Sequence, residues 1–211
     1  MSEPEVERYV TELFAPEDAV LAAVRASHRE SDLPGIHISP QEGKIIHVLL
    51  RAIGARRVLE VGTLGGYSAI WIVRALPADG TLITIEASEK HAAVALDAFE
   101  SAGVSDRVEL IRSKALDTMR ALTGPFDAIF LDADKAPLPR YYAEAMRLLR
   151  VGGLLLCDNT FLDGRITRAS DMSSDVQGMR EFNRLAATDA RLTAAVVPVR
   201  DGLMVAVKVT D

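Results

Sequence analysis

From about Arg56 onward this chain alternates short apolar runs with stretches of helical spacing, and it closes on two apolar runs joined by a turn. The apolar runs fall at 58–61, 82–86, 108–111, 128–132 and 154–158. Between them, 67–76, 88–102, 115–122 and 140–149 have helical spacing and composition. Alternation of this kind builds strand–helix–strand units with right-handed crossovers, and hence a parallel sheet. The closing runs, 192–199 and 203–209, flank Arg200-Asp201-Gly202. Asp-Gly between apolar runs signals a hairpin, because both turn residues must tolerate positive φ. The expectation is an α/β fold, a mostly parallel sheet closed by an antiparallel C-terminal hairpin with helices on both faces.

Ahead of the sheet, 16–28 and 41–53 read as helices, punctuated by Pro34-Gly35 and Ser39-Pro40. Glu3 to Glu12 reads as a solvated helix face. Residues 1–54 are thus expected to form a helical cover segment of one domain spanning 1–211, a length that suits a single core. The acidic opening Met1-Ser2-Glu3-Pro4-Glu5 lacks the apolar stretch of a signal peptide. No run approaches the roughly 20 apolar residues of a membrane span. Net charge is −6 without a Lys/Arg stripe, which argues against nucleic acid and anionic membranes as partners. The single cysteine, Cys157, rules out an internal disulfide and a cysteine-based zinc site, and it reads as a small buried hydrophobe. A cytoplasmic protein is expected.

Two apolar runs end abruptly in oxygens: Phe130-Leu131-Asp132-Ala133-Asp134-Lys135 and Leu155-Leu156-Cys157-Asp158-Asn159. Open α/β sheets place their chemistry at such strand ends. Neighbouring ends would present Asp132, Asp158 and Asn159 together, hard ligands suited to Mg²⁺, Mn²⁺ or Ca²⁺ and not to zinc. Lys135 would stand beside that cation as a base. Alone, Asp158-Asn159 reads as a turn initiator and Lys135 as a solvated lysine, and Asp132 leans only slightly to a ligand-binding carboxylate over a strand-end cap; their joint spacing makes the case. His28, His37, His47 and His91 are scattered along the sequence without a ligand pair and read as structural or surface residues, and Trp71 reads as core.

The loop Glu60-Val61-Gly62-Thr63-Leu64-Gly65-Gly66-Tyr67-Ser68 follows the first strand and opens a helix. Counted from Gly62, the second glycine of the dinucleotide fingerprint falls on Leu64, which disfavours NAD or FAD and the oxidoreductase reading. An adenosine ligand without a diphosphate, such as S-adenosylmethionine, suits what remains. Its carboxylate would take backbone N–H groups and the Ser68 hydroxyl. Glu86 would accept from the ribose hydroxyls, and Glu60 would pair with the ammonium.

With these residues in place, the chain resembles the cation-dependent O-methyltransferases, the group that contains catechol and caffeoyl-CoA O-methyltransferases, and it looks closest to the small bacterial members. The likeness runs from about Gly35 to Lys208 and rests on residues 59–68, FLDADK, CDNTFLDG and VRDGLMVAVK. The resemblance implies a Rossmann-like seven-stranded sheet, S-adenosylmethionine as donor, Mg²⁺ or a similar cation, a small catechol-like aromatic acceptor and a homodimer. Carried over by position, Asp132, Asp158 and Asn159 would hold the metal and Lys135 would be the base. Ile38, Glu60, Gly62, Thr63, Ser68, Glu86 and Ala115 would line the cofactor, with Ala115 near the adenine and Asp132 also reaching the cofactor and the acceptor. Plant members carry a tryptophan where Leu162 stands, tyrosines near Gly178 and Met179, and some members carry a methionine where Ile36 stands. These departures argue against the plant acceptor and leave the 163–177 segment to shape the acceptor pocket. The rival readings are a metal-independent methyltransferase with another acceptor and a non-catalytic S-adenosylmethionine-binding protein.

Overall fold

The computed structural model describes residues 3–211, with side chains from residue 5 onward; Met1 and Ser2, the start of the acidic opening, lie outside the described residues. Three helices precede the sheet: α1 (Glu3–Phe14), α2 (Ala19–Glu30) and α3 (Pro40–Ala52). Asp18 caps α2 by accepting from the Leu21 N–H. Ser39 and Glu42 form a reciprocal capping box on α3, with Pro40 at its first turn, so that helix is held firmly at the end that faces the site.

The alternating part follows as β1 (Arg57–Val61), α4 (Tyr67–Ala75), β2 (Thr81–Glu86), α5 (Glu89–Ser101), β3 (Val108–Arg112), α6 (Ala115–Ala121), β4 (Phe126–Leu131), α7 (Leu138–Leu148) and β5 (Leu149–Cys157). Then come α8 (Ser174–Thr188), β6 (Leu192–Val197) and β7 (Leu203–Lys208). One sheet carries all seven strands in the order β3-β2-β1-β4-β5-β7-β6. β1 to β5 pair in parallel, whereas β7 runs antiparallel to both β5 and β6. The expected architecture is therefore the observed one.

Side chains alternate across the central strands. Ala128, Phe130, Leu154 and Leu156 face one core with α3, α4 and α5. Ile129, Leu131, Leu155 and Cys157 face the other, packed under α7 and α8. Strands buried on both faces read as continuous apolar runs, which is why these segments stand out in the sequence. Order reverses between β1 and β4, the switch point where an open sheet leaves a crevice at its carboxyl edge.

Three details depart from expectation. β5 starts at Leu149, directly at the end of α7, with Gly152 at φ 75° taking up the bend. The hairpin has positive φ at Arg200 (47°) and Gly202 (85°) and not at Asp201, because the connection spans the residues from Pro198 to Gly202 and is no two-residue turn. Much of the segment from 174 onward is the helix α8, which the sequence reading left without an element.

Candidate active site

β1 ends at Val61 and the chain turns through Gly62, at φ 98°, into the N-terminus of α4. A Cβ on Gly62 would run into the carbonyl of Asp132, so this glycine is required by close backbone packing against the neighbouring strand end. Gly66, at φ 84°, is the N-cap of α4 and offers no side-chain cap to its first turn, whose Tyr67 and Ser68 line the crevice. Glu86, at the end of β2, clasps this loop. Its Oε2 accepts from the N–H groups of Thr63 (3.3 Å) and Leu64 (2.9 Å), and its Oε1 accepts from Ser88 N–H (2.8 Å). The ribose-binding role expected of Glu86 is thus joined by a structural one.

Beneath the loop runs a buried polar chain. Thr63 Oγ1 and Thr84 Oγ1 lie 2.6 Å apart, and the Thr84 hydroxyl donates to Glu60 Oε2 at 2.6 Å. Glu60 has no exposed surface, and its Oε1 has no partner. Burial, only partly offset by the hydroxyls of Ser68 and Thr84, pushes its carboxyl up to about 8. A buried acid with one free oxygen beside an open crevice is poised to meet a cationic group.

Asp132 and Asp158 stand one residue beyond β4 and β5. Backbone N–H groups still carry the ladder to them, Asp132 to the Val61 carbonyl (2.9 Å) and Asp158 to the Leu131 carbonyl (3.1 Å). Lys135 Nζ sits 3.3 Å from Asp132 Oδ1 and 3.5 Å from the Asp158 carbonyl. Burial pulls the Lys135 ammonium down, but the charges of Asp132 and Asp158 outweigh it and hold its pKa above the ordinary lysine value. Asp158 is fully buried. Its Oδ1 accepts from Asn159 N–H at 2.7 Å and its Oδ2 has no partner. Burial and the nearby Asp132 charge raise its carboxyl to about 8. Asn159 adopts φ 60°, a left-handed conformation that asparagine tolerates, and lines the crevice. Among the described residues, no group of three or more His, Cys, Asp or Glu side chains is placed to hold a metal. The set here is two carboxylates and an amide, all hard oxygen donors, with one buried carboxylate oxygen unsatisfied. That donor chemistry fits a hard divalent cation.

The crevice measures about 2130 Å³ and is lined by Ile38, Gly62, Thr63, Ser68, Glu86, Ala115, Asp132, Lys135 and Asn159, among others. Most ligand pockets hold ~300–1000 Å³, so this one has room for two ligands side by side. Glu60 and Asp158 lie under its wall. The site residues expected from the sequence thus line one crevice, with the exception of Glu60 and Asp158, which are buried next to lining residues. Cys157 is buried as expected, and burial raises its thiol to about 12. Trp71 is core.

Some participants were missed. His28 and His37, far from each other in reading, have ring centroids 5.6 Å apart, and His37 packs on Tyr67. His28 fills the space where Gly65 has no Cβ, with neither ring nitrogen hydrogen-bonded. His91 Nδ1 lies 3.5 Å from Glu86 Oε1. The packing of α2, the α2–α3 loop and α5 around the glycine loop collects them. Thr84 was also missed, although it sits in register opposite Glu60. A strand pairing, once assumed, would have pointed to it.

A glycine loop at the switch point of a sheet closed by a reversed β7 defines a methyltransferase architecture, and the sequence agrees. The profile of the O-methyltransferase family matches residues 11–209, and the chain belongs to that family. It is 40% identical over 196 residues to a catechol O-methyltransferase of Niastella koreensis, covering 91% of this chain and 89% of that one. It is 42% identical over 183 residues to a catechol O-methyltransferase of Mycobacterium tuberculosis, covering 86% and 83%. Among solved structures it superposes on the O-methyltransferase TomG of Streptomyces achromogenes, solved with S-adenosylmethionine, with TM-score 0.92, 38% identity and full coverage of both chains.

Proposed function

We propose that this enzyme moves a methyl group from S-adenosylmethionine to a hydroxyl of a small catechol-like aromatic, with a divalent cation, most simply Mg²⁺, held by Asp132, Asp158 and Asn159. The observation that carries this reading is the convergence of Asp132, Lys135, Asp158 and Asn159 on two adjacent strand ends, directly against the glycine loop. The catechol relatives and the S-adenosylmethionine complex of TomG support the donor and acceptor classes.

In this reading the donor lies along the glycine loop. Glu60 Oε1, buried and unpartnered, takes its ammonium; Ser68 and the first-turn N–H groups of α4 take its carboxylate. Glu86 holds the ribose, Ile38 and Ala115 bracket the nucleoside, and Gly62 and Thr63 keep the loop tight against Asp132. A cation at the strand ends supplies the positive charge that draws down the pKa of a phenolic hydroxyl, ordinarily near ~10. With the charges of Asp132 and Asp158 offset by the same cation, Lys135 would lose the field that keeps it protonated, and its neutral Nζ would then receive that proton. The oxygen would then attack the sulfonium methyl in line, the O–C bond forming as the S–C bond breaks and S-adenosylhomocysteine leaves as a neutral thioether, and the pocket contributes chiefly by positioning.

The chain would act as one domain over residues 1–211, in the cytoplasm, as a homodimer, without a nucleic-acid or membrane partner. The buried, unpaired Cys157 suits a reducing compartment, and net charge −6 suits neither nucleic acid nor anionic lipid. Among the described residues, no helix is long and apolar enough to cross a membrane. The exposed Tyr9, Leu13 and Phe14 on α1 offer a surface for a second copy, which sedimentation would test.

The deciding experiment is methyl transfer from S-adenosylmethionine to catechol, caffeate and dihydroxybenzoate, with Mg²⁺ and with EDTA. Transfer that vanishes in EDTA and returns with Mg²⁺ is expected. Transfer insensitive to EDTA would remove the cation, and donor binding without transfer to any catechol would remove the acceptor class.

A further inference from the structure

The acceptor side of the crevice is walled by Phe161, Leu162 and Ile166, on a chain segment without a regular element of its own beyond a single 3₁₀ turn at Arg165–Thr167. Phe161 and Asp163 are tied to the β6–β7 connection, their N–H groups donating to the carbonyl and the carboxylate of Asp201, and the stretch beyond Gly164 is held by a side chain of α8. The Arg180 guanidinium donates through Nε to the Ile166 carbonyl (2.9 Å) and through Nη1 to the Asp171 carbonyl (2.9 Å). Its Nη2 donates to the carbonyls of Arg168 (2.6 Å) and Arg165 (3.5 Å). A second layer closes the loop on itself: Arg165 Nε donates to Asp171 Oδ2 (2.9 Å), and Arg165 Nη2 donates to Ser173 Oγ (2.9 Å). α8 is itself fixed to the reactive end of the sheet. Gly178, two residues before Arg180, packs so closely on Lys135 that a Cβ there would meet the Lys135 carbonyl, and Asn183 Nδ2 donates to the Thr160 carbonyl at 3.0 Å.

We propose that Arg180 is the positioning residue that sets the acceptor wall, stapling residues 165–171 to the same helix that abuts Lys135 and so fixing acceptor specificity and the choice between two vicinal hydroxyls. The inference rests on the O-methyl-transfer reading for its substrate. The chemistry calls for arginine: one planar fork must serve carbonyls at several angles at once, whereas a lysine ammonium is a point donor. The Arg165 and Arg168 carbonyls also accept backbone N–H groups of the loop, whereas for those of Ile166 and Asp171 Arg180 is the donor, so its loss should loosen the wall without touching the donor side of the crevice.

The test compares wild type with Arg180→Met and Arg180→Lys, with Arg184→Ala as a control, since Arg184 pairs with Glu181 on the exposed face of the same helix. Amide exchange, donor affinity, acceptor KM and kcat, and the ratio of the two monomethyl products are measured. Expected for Arg180→Met are faster exchange at residues 162–171, acceptor KM raised about tenfold, donor Kd within about twofold, and a shifted product ratio. Arg180→Lys should move the same way by less, and it decides the matter if the methionine variant fails to fold. Exchange unchanged in 162–171 would overturn the staple. Faster exchange with unchanged acceptor KM and product ratio would overturn its role in specificity. A wild-type enzyme that methylates no catechol overturns the substrate reading instead, while the exchange result still judges the staple on its own.

Discussion

Lys135 and Glu60 pose the same physical problem with opposite charge: each is an ionisable group taken out of water at the mouth of a ligand crevice. Lys135 is held protonated by Asp132 and Asp158 in the ligand-free enzyme, and a dication taken up by those carboxylates would offset their field and free Nζ to act as the base. Lys135→Ala should therefore lower kcat by roughly 10²–10⁴, the range of a lost general base, while donor Kd stays within about twofold. Calorimetry of donor binding beside turnover checks this, and an equal loss in binding would end the base assignment. Asp158→Ala should weaken Mg²⁺ binding, read as a rightward shift of the Mg²⁺ activation curve; an unmoved curve would take Asp158 out of the site. Glu60 gives a pH signature. Its folded pKa of about 8 lies above the ordinary 4.5, so between those values the folded chain holds a proton that the unfolded chain has released. Stability of the ligand-free protein must then fall as pH rises through that window and level off above it. Asp158, raised to about 8, adds a slope of the same sign. Glu60→Gln keeps a neutral group in place and should flatten the fall of Tm across roughly pH 5 to 9, leaving the part due to Asp158. A slope identical to wild type would mean Glu60 is ionised in the fold.

At the scale of elements, the strands were legible because burial on both faces leaves near-continuous apolar runs, and their ends were legible because oxygens interrupt those runs so sharply. α8 was not read, although Val176, Met179, Phe182 and Ala186 are all buried and recur at helical spacing. Residues 172 to 179 straddle its start, and the Ser, Asp and Gly among them favour caps and turns over helix interiors. Gly178 is there for a reason no propensity scale contains: α8 must touch the Lys135 backbone. The same contact leaves no space for a side chain at position 178 itself. Gly62 makes the complementary point for the cofactor loop. It was expected to line the cofactor, and besides lining the crevice it is pressed against the Asp132 carbonyl. Gly62→Ala would add a clash and a left-handed alanine at φ 98°, a change of about 2 kcal/mol or more in stability. Because the loop and the metal-side strand end share this contact, donor affinity and Mg²⁺ activation should both deteriorate. Loss of only one would show that the two halves of the site are not mechanically joined there.

Across the whole molecule, the crevice is closed by parts of the chain that no local pattern links. Arg200, in the connection between β6 and β7, donates from Nη1 to the His37 carbonyl at 2.6 Å. The same nitrogen lies 3.6 Å from Glu42 Oε2, on the fully buried capping-box residue of α3, whose Oε1 is without a partner. The hairpin thus pins the N-terminal cover, including Ile38, over the donor side of the crevice. Charge and hydrogen bond can be separated. Arg200→Ala removes both, leaving the Glu42 carboxylate buried and unpaired; as Arg200 is itself partly exposed, the cost should fall below the ~3–5 kcal/mol of a wholly buried pair. Tm should drop and donor Kd rise. Adding Glu42→Gln removes the orphaned charge, so the double variant should recover much of the Tm while donor affinity stays weak, because the tie to His37 is still missing. If donor affinity recovered along with Tm, the cover would be held by the charge pair alone and the Arg200–His37 tie would be incidental to binding.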